Sequence, residues 1–176
     1  MLLLQKGLDN PIFNMNIMFE TVTNDLLMVS VVYNDHIGTP CYWRLTGMNG
    51  IPPLEVGIDY KKGFIQSVTF FVDGFKVKRR ECVNCLQLEG DILVDTSIFT
   101  KASDYVDINQ IYDVYYNDNQ LMCFFKDKNE IVSAVINDRV GFLVDCDYHI
   151  MGFFINNLSE NEKKMIASII DASPKG

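Results

Sequence analysis

The sequence predicts an α+β chain that is mainly β: hairpin-rich antiparallel sheet, arranged as a meander, with one C-terminal amphipathic helix over about 159–171. Three observations predict it. Turn signals recur every ten or so residues, as in antiparallel β proteins. The runs between them have strand length and either alternate in polarity or are continuously apolar. Only the last stretch changes to a helical spacing of apolar residues.

The elements follow in order. NMNIMFET, residues 14–21, alternates, with Met15, Ile17 and Phe19 on one face. LLMVSVVY, 26–33, is apolar throughout and valine-rich, as a strand buried on both faces should be. TPCYWRL at 39–45 is the next strand, and GMNGIPP at 47–53 is a loop by its glycines and prolines. Asp59 to Gly63 form a turn between strands 54–58 and 64–72. Asp73-Gly74 is the sequence of a two-residue type I′ turn and predicts that strand 64–72 pairs with strand 75–81. Further turns fall at 117–119, 126–129, 137–138 and 145–148, and QLMCFF, EIVSAVI, VGFLVD and HIMGFFI lie between them. RVGFLVDCDYHIMGFFI echoes LEVGIDYKKGFIQSVTFFV, either through internal duplication or as two independent hairpins. In LSENEKKMIASIIDASPKG, Ser159 and Glu162 make a capping box. Met165, Ile166, Ile169 and Ile170 form the stripe that should lie on a sheet, and Pro174 lies beyond the end.

The 176 residues suit a single domain, 1–176, and a composition of 48% hydrophobic and 22% charged residues is globular. The formal charge of −8 makes phosphate backbones and anionic lipid poor partners, so neither nucleic acid nor membrane is expected. The N-terminus turns polar at Gln5 and Lys6, too early for a signal peptide. Five cysteines, an odd number, fit reduced thiols in a cytoplasm.

Catalytic patterns are sparse, and the expectation is a non-enzyme with no cofactor. Cys82 and Cys85 match Cys-x-x-Cys, but no second pair completes a zinc set and the context is a strand, so both are read as packing residues. Asp145, Asp147 and His149 would share one face of an extended strand and are the candidate metal ligands. Their position also suits an ordinary aspartate turn. His36 and His149 are the only histidines, and neither sits in a nucleophile or metalloprotease motif. GxGxxG and Walker patterns are absent.

Charge is unevenly distributed. KVKRRE, 76–81, holds four of the fifteen basic residues. Residues 89–118 hold seven acids against Lys101 alone, and DYVDINQIYDVYYND within them carries four of the eight tyrosines. Tyrosine is enriched at interfaces, and charge of one sign speeds encounter with its opposite. The candidate partner-binding residues are Asp104, Tyr105, Asp107, Tyr112, Asp113, Tyr115, Tyr116 and Asp118. The same stretch also reads as an ordinary strand, with Tyr112, Val114 and Tyr116 on one face and Ile111, Asp113 and Tyr115 on the other.

With LEVGIDYKKGFIQSVTFF, RVGFLVDCDYHIMGFFINNLSENEKKMI and the acidic tract, this small acidic chain resembles the immunity proteins of bacterial polymorphic and contact-dependent toxin systems. The resemblance implies a protein that binds a cognate toxin, a basic domain such as a nuclease, and occludes its active site. One alternative is a small-molecule-binding β-domain whose pocket is lined by Trp43, Phe64 and Phe70. The other is a metal-dependent enzyme using Asp145, Asp147 and His149.

Overall fold

A computed structural model describes residues 2–7, 14–34, 38–81, 85–125 and 131–172. Fifteen strands and one helix follow in the order β1 (Leu4–Gly7), β2 (Met15–Thr23), β3 (Leu26–Tyr33), β4 (Pro40–Leu45), β5 (Leu54–Asp59), β6 (Ile65–Asp73), β7 (Lys78–Arg79), β8 (Leu86–Glu89), β9 (Ile92–Val94), β10 (Tyr105–Ile108), β11 (Tyr112–Tyr116), β12 (Leu121–Phe125), β13 (Ile131–Asn137), β14 (Val140–Asp145), β15 (Ile150–Ile155) and α1 (Glu160–Ala172). The expected mainly-β, α+β architecture with a C-terminal helix is what the chain adopts. The CxxC cysteine Cys82, together with His36 and Pro174, lies outside the described residues.

Two sheets face each other. One runs β10-β4-β5-β6-β3-β2, the other β7-β11-β12-β15-β14-β13-β8. Inward-facing side chains from both enter one hydrophobic cluster, where Trp43 meets Phe125 at 5.2 Å and Phe70 meets Phe153 at 5.0 Å between ring centroids. Such tilted and edge-on contacts suit the charge distribution of aromatic rings. Strands β12, β14 and β15 are buried on both faces, which explains their unbroken apolar sequences. Their outward side chains Met122, Phe124, Leu143, Met151 and Phe154 form a second cluster.

The sheets share a topology. Read from one side, β10-β4-β5-β6-β3-β2 corresponds strand for strand to β8-β13-β14-β15-β12-β11. Each contains three consecutive hairpin strands closed by the preceding strand, a Greek-key order rather than a simple meander. In each, an added edge strand runs parallel to its neighbour: β10 beside β4, and β8 beside β13. The echo between 54–72 and 139–155 falls on matching hairpins, β5–β6 and β14–β15. Even the aspartates that end the first strand of each hairpin behave alike. Asp59 Oδ1 accepts the N–H groups of Lys61 and Lys62, and Asp145 Oδ1 accepts those of Asp147 and His149. β1 and β9 pair with each other and reach across, Leu3 bridging to His149 and Leu93 to Phe64. At the second of these crossings Gly63 takes φ +77°, where a Cβ would collide with the Val94 carbonyl.

The pairing expected from Asp73-Gly74 is not formed. β6 already lies between β5 and β3, so no edge of it remains open to residues 75–81. Asp73 instead makes a tight turn: its carbonyl accepts N–H from Lys76 and Val77, and its Oδ1 accepts that of Phe75. The chain leaves the sheet and β7 joins the opposite one, parallel to β11.

The helix begins as predicted. Ser159 N–H donates to Glu162 Oε2 at 2.6 Å, and Glu162 N–H donates to Ser159 Oγ at 3.3 Å. Its buried residues Ile166 and Ile169 join the main core, and it packs against β2, β3 and β6. No described helix is long and apolar enough to cross a membrane.

Candidate functional site

The acidic tract and the basic run, distant in sequence, are neighbours in space. The parallel pairing of β7 with β11 sets Tyr115 opposite Lys78 and Tyr116 opposite Arg79. Lys78 Nζ then reaches Asp113 at 3.0 Å, and Arg79 reaches Asp118 at 3.2 Å. The cations also lie over the rings: Arg79 over Tyr116 at 5.3 Å, Arg80 over Tyr115 and Phe124 at 5.4 and 4.6 Å. On β10, Asp107 receives a bidentate bond from Arg44 at 2.7 and 2.9 Å, and Arg44 covers Tyr105 at 4.5 Å. Tyr105 also stacks on Tyr42, yet remains 52% exposed. Asp104 accepts from the Thr100 hydroxyl and N–H, which hold its carboxyl below the usual range.

Two of the tyrosines expected at a partner surface are core residues. Tyr112 and Tyr116 face inward, only 2% and 5% exposed. The alternation of β11 dictates this, since Val114 between them is also buried and Asp113 and Tyr115 take the outer face. Tyr112 has a structural task. Its hydroxyl donates to Phe71 C=O and accepts from Phe71 N–H, at 3.1 and 3.2 Å. Those backbone groups lie just beyond the start of β5, opposite Pro53, which has no N–H to offer. Burial raises the Tyr112 phenol well above its ordinary value.

Asp145, Asp147 and His149 do come together, with one potential ligand atom from each within 4.8 Å. They sit on the β14–β15 turn rather than along an extended strand. Both Asp145 oxygens are engaged, Oδ1 by two backbone N–H groups and Oδ2 by His149 Nδ1 at 3.2 Å. Asp59 Oδ1 likewise receives two backbone N–H groups on the matching turn. The aspartate at this position therefore shapes a turn in both halves. Cys85 is half-buried against the outer cluster, and burial pushes its thiol up rather than toward a thiolate. It precedes β8 and stands in no hairpin strand, contrary to expectation.

The aromatic residues of the small-molecule alternative, Trp43, Phe64 and Phe70, do not line one cavity in common among those described. Trp43 and Phe70 fill the core, and Phe64 lies on the β5–β6 turn. A cleft of about 640 Å³ lies elsewhere, between β8, β13 and the β14–β15 turn. Leu86, Leu88, Val132 and Tyr148 line it at 65, 49, 45 and 64% exposure. Leu4 contributes from β1, and Leu86 and Leu88 stand opposite Ser133 and Val135. Its charged lining is acidic, Glu89 and Asp145, with Asp147 on the same turn and no lysine or arginine among its lining residues. Leu86 and Leu88 alternating in LQLE were the available sequence signal.

No family model matches the chain, and no curated protein matches it in sequence.

Proposed function

We propose that this is a protein-binding domain, not an enzyme, and that it acts as an immunity protein: it binds a basic toxin domain and occludes its active site. The observation that carries this reading is the cleft beside β8, where four large apolar side chains remain exposed next to the acidic Glu89 and Asp145. Apolar patches of this kind on a soluble chain mark interaction sites. An acidic rim selects and steers a basic partner, fastest at low salt. The tract at 104–118 supports the same reading less well. Asp107, Asp113 and Asp118 are already paired within the chain, so three of its four negative charges are balanced, by Arg44, Lys78 and Arg79. Tyr105 is its most exposed aromatic side chain, whereas Tyr115 is half-buried beneath Lys78 and Arg80.

The test is a search of the neighbouring open reading frames for a toxin-like domain, followed by coexpression with it. Wild type restores growth and forms a complex, while Leu86→Lys/Leu88→Lys loses both and keeps its circular dichroism spectrum. A wild-type chain that neither protects nor binds overturns the proposal. Retained binding by that variant, lost instead in Tyr105→Ala, returns the partner to the tract.

A further inference from the structure

Each sheet has two edges, and three of the four are short and charged. β7 is two residues, both basic; β8 is four residues ending in Glu89; β10 is four with Asp107. Short charged edges are how β proteins prevent unwanted pairing. β2 is different. It is nine residues long, MNIMFETVT, with Glu20 its only charge and no lysine, arginine or proline. Among the described residues its sole strand neighbour is β3.

The direction of its free backbone groups can be derived. Asn34 N–H donates to Asn14 C=O, so the pair 14–34 is hydrogen-bonded. The register then makes Asn16–Val32, Met18–Ser30 and Glu20–Met28 the bonded pairs of β2 and β3. Met15, Ile17, Phe19 and Thr21 must point their N–H and C=O groups away from β3, toward the open edge. On the outer face Met18 and Val22 are 47 and 50% exposed.

We propose that this edge pairs with the same edge of a second copy, antiparallel about a two-fold axis at Met18. That register uses every outward-pointing residue. Ile17 bonds Phe19 of the second copy, and Met15 bonds Thr21 of the second copy, each pair exchanging both N–H···O bonds. The side chains suit a self-complementary contact. Met18 faces Met18 of the second copy, an apolar pair, and Asn16 faces Glu20 of the second copy, so no like charges are opposed. A chain of net charge −8 has few surfaces on which its copies do not repel, and this edge is one. The two six-stranded sheets become continuous, and the cleft beside β8 shares no residue with the contact.

Sedimentation equilibrium of the full chain tests the pairing. The expected mass is about twice the 20.1 kDa of one chain. Met18→Lys, which opposes two lysines across the axis, should raise the dissociation constant about tenfold or more without changing the circular dichroism spectrum. The register has its own readout. Residues facing each other at a non-bonded antiparallel position are close enough for a disulfide. Met18→Cys, with Cys82 and Cys146 changed to serine, should cross-link to itself under diamide, whereas Glu20→Cys in the same background should not. A wild-type chain that stays monomeric up to high micromolar concentration, a folded Met18→Lys variant that dimerises as tightly as wild type, or equal cross-linking at 18 and 20 overturns the proposal.

Discussion

Tyr112 shows how a residue chosen for one property can be placed by another. Its hydroxyl supplies the donor and acceptor that Phe71 lacks beyond the start of β5. Tyr112→Phe leaves a buried N–H and C=O without partners, at a cost of about 1–3 kcal/mol. Urea denaturation measures it, and Tyr115→Phe on the outer face is the control, expected within about 0.5 kcal/mol of wild type. Asp145 invites a similar comparison. Asp145→Ala strands two backbone N–H groups, while Asp145→Asn keeps an oxygen to receive them. The alanine variant should lose about 1–3 kcal/mol more than the asparagine variant, and Asp59→Ala should repeat the pattern in the other half. Metal addition should leave the ranking unchanged if the aspartate acts through its turn. At this scale the sequence was partly legible. Alternation in β11 separated the two tyrosine faces, but nothing local announced which was inward. That depends on Phe71, forty-one residues away.

Among the elements, the β7–β11 pair and the helix start make opposite points. The capping box was readable because its bonds join residues three apart. Glu162 also receives Arg139 at 2.7 Å. Burial pushes its carboxyl up, but the bonds from Arg139 and Ser159 more than offset this and hold it below its ordinary 4.5. A depressed carboxylate contributes stability above its unfolded value, lost as pH falls through the folded one. The stability gap between wild type and Glu162→Gln should therefore be widest above about pH 4.5 and close below it, as followed by thermal melts across pH. The β7–β11 contact was hidden, because Asp73-Gly74 has the local chemistry of a hairpin and only the occupancy of both β6 edges forbids one. Asp113→Lys sets two cations together. It should cost about 0.5–1 kcal/mol, largely recovered in Lys78→Glu/Asp113→Lys, since the pair is partly exposed and screened. No recovery in the double mutant would mean that the two residues do not interact.

On the scale of the whole molecule, two sheets of matching topology share one core. Trp43, the only tryptophan, sits where they meet. Its fluorescence and the far-ultraviolet circular dichroism should report a single coincident unfolding transition in urea. Separate midpoints would mean that the sheets come apart independently. Strand content and the hairpin echo were visible in the sequence because both are local. The Greek-key order and the parallel edge strands were not, since they depend on which distant strands find each other. The cleft was hidden for the same reason: Leu4, Leu88, Val132 and Tyr148 share it from four separate stretches of chain.

β1 gives that distance a direction in time. Leu2 is 1% exposed and its carbonyl accepts from Ile150, while Leu4 N–H donates to Tyr148 C=O. Synthesis delivers these leucines long before Tyr148 and Ile150. Until then three adjacent apolar side chains wait without a seat. β1 acts as a late latch, and it closes one wall of the cleft as it does so.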